Sequence, residues 1–155
     1  MDDNQEIISS IPRMHYNDLL KLESPGIPPR QYIEPVESAK KSGKWVCKPN
    51  CMNVLRLNGQ NIPFTQVVFY SVMDISWTSG TGQPVYTVPC PRQDNGGIFP
   101  QLKLHSLVFG LGVRGVGCQD RFGIEGKQGE EVWISVNDDL YSDNEGTLVI
   151  KVSWK

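Results

Sequence analysis

Oxygen-bearing side chains are concentrated in the stretch "NDDLYSDN" near the end of the sequence. They belong to Asn137, Asp138, Asp139, Tyr141, Ser142, Asp143 and Asn144. Carboxylate, amide and backbone oxygens are the ligands that Ca²⁺ takes at a coordination number of about six to eight. A hairpin loop whose Asp and Asn side chains bond their own backbone is the alternative, and composition favours the two equally. The stretch is not an EF-hand, because the glycine and the terminal glutamate of that motif are absent at the required offsets.

Two patterns that suggest enzymatic chemistry are weaker. The run "GLGVRGVG" at residues 110–117 contains G-x-G-x-x-G, but the sequence after it lacks the helical period that a dinucleotide site requires. We therefore interpret it as a glycine-rich strand end and turn. No G-x-S-x-G elbow accompanies His105, which alternates with Leu104 and Leu107 as in a strand. We predict that the protein is not an enzyme and that His105 is a structural residue.

Cysteine spacing gives a further metal hypothesis. Cys47 and Cys51 lie in "CKPNC", a spacing that a zinc knuckle tolerates, whereas Cys90 and Cys118 are far apart and the chain has only 2 histidines. Buried or unpaired thiols are the favoured interpretation.

Length and charge limit the class of protein. The chain has 155 residues, enough for one principal domain, and 15 basic and 17 acidic residues give it a net charge of -2. No concentrated basic run is present, so nucleic acid is not an expected partner. The acidic start "MDDNQEIISS" does not resemble a secretory signal, which predicts a cytoplasmic or non-classically exported protein. No apolar run is long enough to predict a membrane span.

The first 44 residues differ in texture from the rest. They contain five of the 11 prolines, and "SPGIPPRQYIEP" cannot continue a helix or form a central strand. One short helix is expected around "YNDLLKLES", capped by Asn17 or Asp18. We predict an extended arm at residues 1–44, ordered either by its own domain or by another subunit, as in a homo-oligomer or a larger assembly.

Residues 45–155 have a β-rich texture. Short runs rich in Val, Ile, Phe and Trp are separated by clusters of Gly, Asn, Asp and Pro. In "TLVIKVSW" the apolar residues recur at every second position, which is the pattern of a half-buried strand. These features predict an antiparallel β-sandwich of roughly seven or eight strands.

The last part of the chain resembles a known lectin family. "GEEVWISVNDDLYSDNEGTLVIKVSW" is similar to the C-terminal signature of the PA-IL-like galactose-binding lectins, and "VVFYSVMDISWTSGTGQPVY" to their strand that leads into a Trp-containing loop. "LVFGLG" followed by "FGIEGKQGEEVWISVND" resembles their central hairpin. The resemblance covers residues 45–155 and is closest in the last third. It implies an all-β, galactose-binding-like, jelly-roll β-sandwich preceded by the extended arm.

The resemblance also implies a calcium ion that bridges two loops and binds sugar hydroxyls. Asp138 matches the first aspartate of the signature, and Asp143 and Asn144 match its second Asx pair. A backbone carbonyl is expected from Tyr141 or Leu140. Asp143 stands where the best-known version has an amide, and the loop is at least one residue shorter.

The second loop implied by the family is the one that contains the tryptophan. Its carbonyl ligand would come from Gly80, in "WTSG". The family's additional sugar contacts have no direct match, and Gln93, Asp94 and Asn95 are the candidates that would replace them, beside the metal ligands Asp138 and Asp143. A calcium-dependent module for a galactose-type saccharide is one hypothesis. The other is a non-enzymatic structural subunit of a virion, tail or organelle complex, anchored through its arm, with an accessory or vestigial sugar site.

Overall fold

The computed structural model describes residues 14–15, 29–78, 82, 85, 104–112, 114–117, 120–138 and 140–155. These residues form twelve β-strands and no helix, which confirms the predicted all-β class. The strands are β1 (Met14–His15), β2 (Arg30–Ile33), β3 (Glu37–Ala39), β4 (Ser42–Cys47), β5 (Met52–Leu57), β6 (Gln60–Asn61), β7 (Val67–Ile75), β8 (Leu107–Leu111), β9 (Arg114–Gly117), β10 (Arg121–Glu125), β11 (Val132–Val136) and β12 (Leu148–Trp154). A search of the described part of the chain finds no helix of the length and apolar character that a membrane crossing needs.

The strands form two sheets. A seven-stranded sheet has the order β1-β9-β8-β11-β5-β2, with β6 paired to β5, and a five-stranded sheet has the order β10-β7-β12-β4-β3. Every described pair is antiparallel except β2 with β5, which is parallel. Nine of the twelve strands, β4 to β12, fall wholly or partly in residues 45–155, where roughly seven or eight were predicted.

One hydrophobic core is shared by the two sheets. Trp45 and Ile150 contribute from the five-stranded sheet, and Trp133 from the other. The rings of Tyr70 on β7 and Phe109 on β8 stack with centroids 3.9 Å apart, so an aromatic contact joins the sheets directly. The arrangement is therefore sandwich-like, with side chains from both inner faces in a common core.

The glycine run is a packing feature of β8 and the turn after it. A Cβ atom at Gly110 would overlap the Trp133 indole, so the absence of a side chain there makes room for the ring. Gly112 has a φ of 56°, and its carbonyl accepts a hydrogen bond of 2.9 Å from Trp133 Nε1. The interpretation as a strand end and turn agrees with this geometry.

Strand pairing begins well before the predicted boundary at Trp45. β2 runs beside β5, and β3 and β4 form a hairpin at the edge of the five-stranded sheet. The indole Nε1 of Trp45 donates a 3.2 Å hydrogen bond to the carbonyl of Ile33, which holds the two parts together. The described sandwich thus includes residues 30–44, and a division after residue 44 would cut through β4. The helix predicted around "YNDLLKLES" lies outside the described residues.

Candidate functional site

Residues 137–147, here called the acidic loop, connect the two sheets. β11 ends at Val136 in the centre of the seven-stranded sheet, and β12 begins at Leu148 in the centre of the five-stranded sheet. The loop therefore crosses one end of the sandwich. Both of its ends are anchored in central, buried strands, which restricts where its polar side chains can lie.

Asp138 is a buried carboxylate at the start of the acidic loop. The residue is only 3% exposed, and its Oδ1 accepts a 3.2 Å hydrogen bond from Leu140 N. The same oxygen lies 3.7 Å from His105 Nε2. A buried carboxylate is costly unless it is hydrogen-bonded and paired with a positive charge. The Leu140 amide supplies one such hydrogen bond, and the His105 imidazole lies beside the same oxygen.

His105 occupies a turn, where an alternating strand pattern was predicted. Its φ is 67°, a left-handed conformation that a β-strand does not contain. Its amide donates a 2.6 Å bond to Asn137 O, and Asn137 N donates a 2.8 Å bond to Ser106 O. These bonds continue the pairing of β8 with β11 by one step and place His105 beside Asp138. The structural role predicted for His105 fits this geometry, but its place in a strand was wrong.

Asn144 and Tyr141 form the inner part of the acidic loop. Asn144 is 8% exposed; its Nδ2 donates a 3.0 Å bond to Pro49 O, and its amide donates a 3.1 Å bond to Tyr141 O. The Tyr141 hydroxyl donates to Val136 O at the end of β11. Asn144 Oδ1 is buried and has no hydrogen-bond partner among the described residues. Such an acceptor is unusual in a folded protein and is normally satisfied by a bound water molecule or an ion.

The remaining predicted ligands differ in their positions. Asp143 and Leu140 are exposed on the outside of the acidic loop. Gly80, Gln93, Asp94 and Asn95, together with Asp139 of the acidic loop, lie outside the described residues. In the described ranges no three His, Cys, Asp or Glu side chains form a cluster, so a cation here would depend on amide and backbone oxygens as well as carboxylates.

A second segment, residues 76–78, lies directly against the acidic loop. Thr78 and Glu145 form a two-bond antiparallel bridge, with N···O distances of 2.9 and 3.0 Å. Ser76 N donates a 3.0 Å bond to Thr147 O. At Gly146, where φ is 99°, a Cβ atom would overlap the Ser76 carbonyl, so only glycine allows this approach. Residues 76–78 and the acidic loop therefore lie in direct contact.

The tryptophan of this segment is buried behind the contact. Trp77 is 1% exposed, and its indole Nε1 has no hydrogen-bond partner within the described ranges. A buried indole N–H normally finds an acceptor. Trp77 Nε1 is therefore, like Asn144 Oδ1, a buried polar atom without a hydrogen-bond partner among the described residues.

The "CKPNC" motif contacts the acidic loop through Pro49, a link that sequence spacing did not reveal. Cys47 and Cys51 are buried free thiols, which agrees with the favoured interpretation of buried or unpaired thiols. Burial raises the pKa of both thiols, that of Cys47 strongly. Cys51 Sγ instead donates a 3.3 Å hydrogen bond to Gln31 Oε1 on β2. Cys90 and Cys118 lie outside the described residues.

Comparison of the chain with protein-family models, curated proteins and solved structures gives no match. The functional interpretation therefore depends on the contacts of the two loops themselves.

Proposed function

We propose that this protein is a calcium-dependent carbohydrate-binding module whose metal ion is held by the acidic loop. The observation that carries the proposal is the buried Oδ1 of Asn144, which has no hydrogen-bond partner among the described residues. It lies in the same short loop as the buried carboxylate of Asp138. A calcium ion would satisfy the amide oxygen, because neutral carbonyl and amide oxygens are ordinary calcium ligands.

The contacts of Asn144 favour coordination through oxygen. Its Nδ2 is engaged by Pro49 O at 3.0 Å, which fixes the plane of the amide and leaves Oδ1 as the atom available to a ligand. Its backbone amide closes the turn onto Tyr141 O. The side chain is thus oriented before any metal binds, and preorganised ligands lose less conformational entropy on binding.

Charge balance is consistent with a divalent ion. Asp138, which is buried, and Asp143, which is exposed, would each provide a carboxylate. Two carboxylates offset the charge of Ca²⁺, while the Asn144 amide and the carbonyls of Tyr141 or Leu140 and of Gly80 would complete the protein ligands. Positions left open in the shell would accept neighbouring hydroxyls of a saccharide, and this is the basis for sugar recognition.

Calorimetric titration of the full chain with calcium, and then with galactosides, tests this proposal. Asp143→Ala removes one charged ligand from an exposed position, so the fold should survive. Calcium affinity should decrease at least about tenfold, because that is roughly what one charge-assisted contact contributes. Asp120→Ala, which removes another exposed carboxylate, is the matched control and should bind calcium normally. Absence of calcium binding at millimolar metal would refute the proposal.

A second function, a structural subunit of an assembly, is favoured by a different observation. The N-terminal part of the chain supplies strands at the edges of both sheets, β1 beside β9, β2 beside β5 and β3 beside β4. Tyr32 and Val36 in this part are 55% and 62% exposed. Exposed apolar side chains next to sheet edges are a common feature of protein interfaces. A neighbouring copy of the chain, or another subunit, would cover them.

Tyr32→Ser with Val36→Ser tests the assembly function at the exposed apolar side chains, and deletion of residues 1–28, which removes β1 but keeps β2, β3 and β4, tests the rest of the N-terminal segment. The shortened protein should keep its β-sheet circular dichroism, while light scattering should show a smaller assembly than that of the full chain. An unchanged molar mass would count against a role of the N-terminal segment in assembly. Calcium binding should be the same in both forms, since the acidic loop is retained.

A further inference from the structure

A pocket rich in lysine lies at the end of β12 opposite the acidic loop. It has a volume of about 690 Å³ and is lined by Lys40, Lys41, Lys151 and Lys155, and none of the described residues that line it is acidic. Lys40, Lys41, Lys151 and Lys155 have the only charged side chains among the described residues that line this pocket. A cleft lined by side chains of one sign concentrates the electrostatic potential of that sign. The protein as a whole carries a net charge of -2, so this positive potential is local.

The walls of this lysine pocket are fixed by backbone hydrogen bonds. Lys41 O accepts a 3.1 Å bond from Trp154 N, and Lys155 O accepts bonds of 3.0 and 2.9 Å from Thr65 N and Gln66 N. Ser42 pairs with Ser153 across β4 and β12. Three separate segments are thereby held around one cavity, and a ligand would meet a preformed surface.

The turn that presents two of the lysines has an unfavourable backbone. Lys40 and Lys41 connect β3 to β4, and Lys41 has a φ of 59°. Glycine and asparagine are the residues normally found in this conformation. A lysine at this position costs backbone energy, and strained residues occur preferentially at binding sites.

The neutral lining residues indicate what kind of anion fits. Ser42, Ser153 and Thr65 offer hydroxyls and Gln66 offers an amide, all suited to hydrogen bonds with the hydroxyls of a sugar. Lysine is a point-charge donor that suits tetrahedral oxyanions such as sulfate and phosphate esters. We propose that the lysine pocket binds a sulfated or phosphorylated saccharide, at a site that is separate from the acidic loop and independent of calcium.

Binding should be measured by calorimetry at low salt, in EDTA, with the full chain. The probes are galactose 6-sulfate and galactose 6-phosphate, which distinguish the two anion types, together with galactose as their uncharged counterpart and inorganic sulfate. We expect at least one charged saccharide to bind, its uncharged counterpart not to bind, and inorganic sulfate to bind more weakly. Equal binding of charged and uncharged sugars, or of free sulfate and the sulfated sugar, would overturn the proposal.

Variants locate the site. The double variant Lys40→Gln with Lys41→Gly should weaken binding about tenfold, because each exposed charge contact contributes a factor of a few to the affinity. The thermal midpoint of this variant should not fall, since glycine relaxes the turn. The control Lys48→Gln with Arg121→Gln removes the same charge from positions outside the pocket and should bind normally. Equal loss in both variants, or tighter binding of a DNA duplex than of either sugar, would show non-specific attraction and refute the proposal.

Discussion

Gly146→Ala is expected to separate the acidic loop from residues 76–78. The backbone at Gly146 has a φ of 99°, and an added Cβ atom would overlap the Ser76 carbonyl oxygen. A side chain in left-handed backbone costs about 1 to 2 kcal/mol. Displacement of Ser76 would also break the two hydrogen bonds between Thr78 and Glu145, at about 1 kcal/mol each.

The expected loss in the free energy of unfolding is therefore about 3 to 4 kcal/mol, which for a chain of this size lowers Tm by about 10 °C. Gly59→Ala is the matched control, because Gly59 has a φ of 76° but no atom within 4 Å of an added Cβ. It should cost only the backbone strain, about 1 to 2 kcal/mol. Urea denaturation of both variants measures the difference. Equal losses would refute the conclusion that close contact of the two loops requires glycine.

Further predictions concern stability. Tyr141→Phe removes the buried hydroxyl that donates to Val136 O, so urea denaturation should show a loss of about 1 to 2 kcal/mol in the free energy of unfolding. No loss would show that the hydroxyl is dispensable. Burial raises the pKa of Cys47 well above its ordinary 9.0, so the folded state holds this proton more tightly than the unfolded state. The stability that this protonated thiol contributes is complete below pH 9.0 and is lost as the pH rises towards the pKa of the folded state. The free energy of unfolding of Cys47→Ala should therefore decrease less at alkaline pH than that of the unchanged protein. Parallel curves of unfolding free energy against pH for the two proteins would contradict this prediction.

The sequence predicted the elements whose burial follows a simple period. In β12 the side chains of Leu148, Ile150 and Val152 are buried while those of Val149 and Lys151 are partly exposed, as the alternation indicated. β11 is buried along its whole length, on both faces of the sheet, so the alternation of its residues carried less information.

Long-range contacts account for what could not be predicted. The proline-rich start indicated an arm, but β2 pairs with β5, a partner that local sequence does not specify. The turn conformation of His105 depends on its bond to Asn137 O, and alternation of apolar residues does not report φ. The contact of Pro49 with Asn144 likewise follows from topology alone. The acidic stretch was recognisable as a candidate cation site, but the sequence did not show which of its side chains are buried.

Calcium binding by the acidic loop is best tested by a crystal structure grown with calcium, with anomalous diffraction to identify the metal. We expect a calcium peak about 2.3 to 2.6 Å from Asn144 Oδ1 and from a carboxylate oxygen of Asp138. Sugar soaked into the same crystals should contribute hydroxyl oxygens to that ion. A water molecule bonded to Asn144 Oδ1, with no anomalous peak in the acidic loop, would show that this loop does not hold calcium.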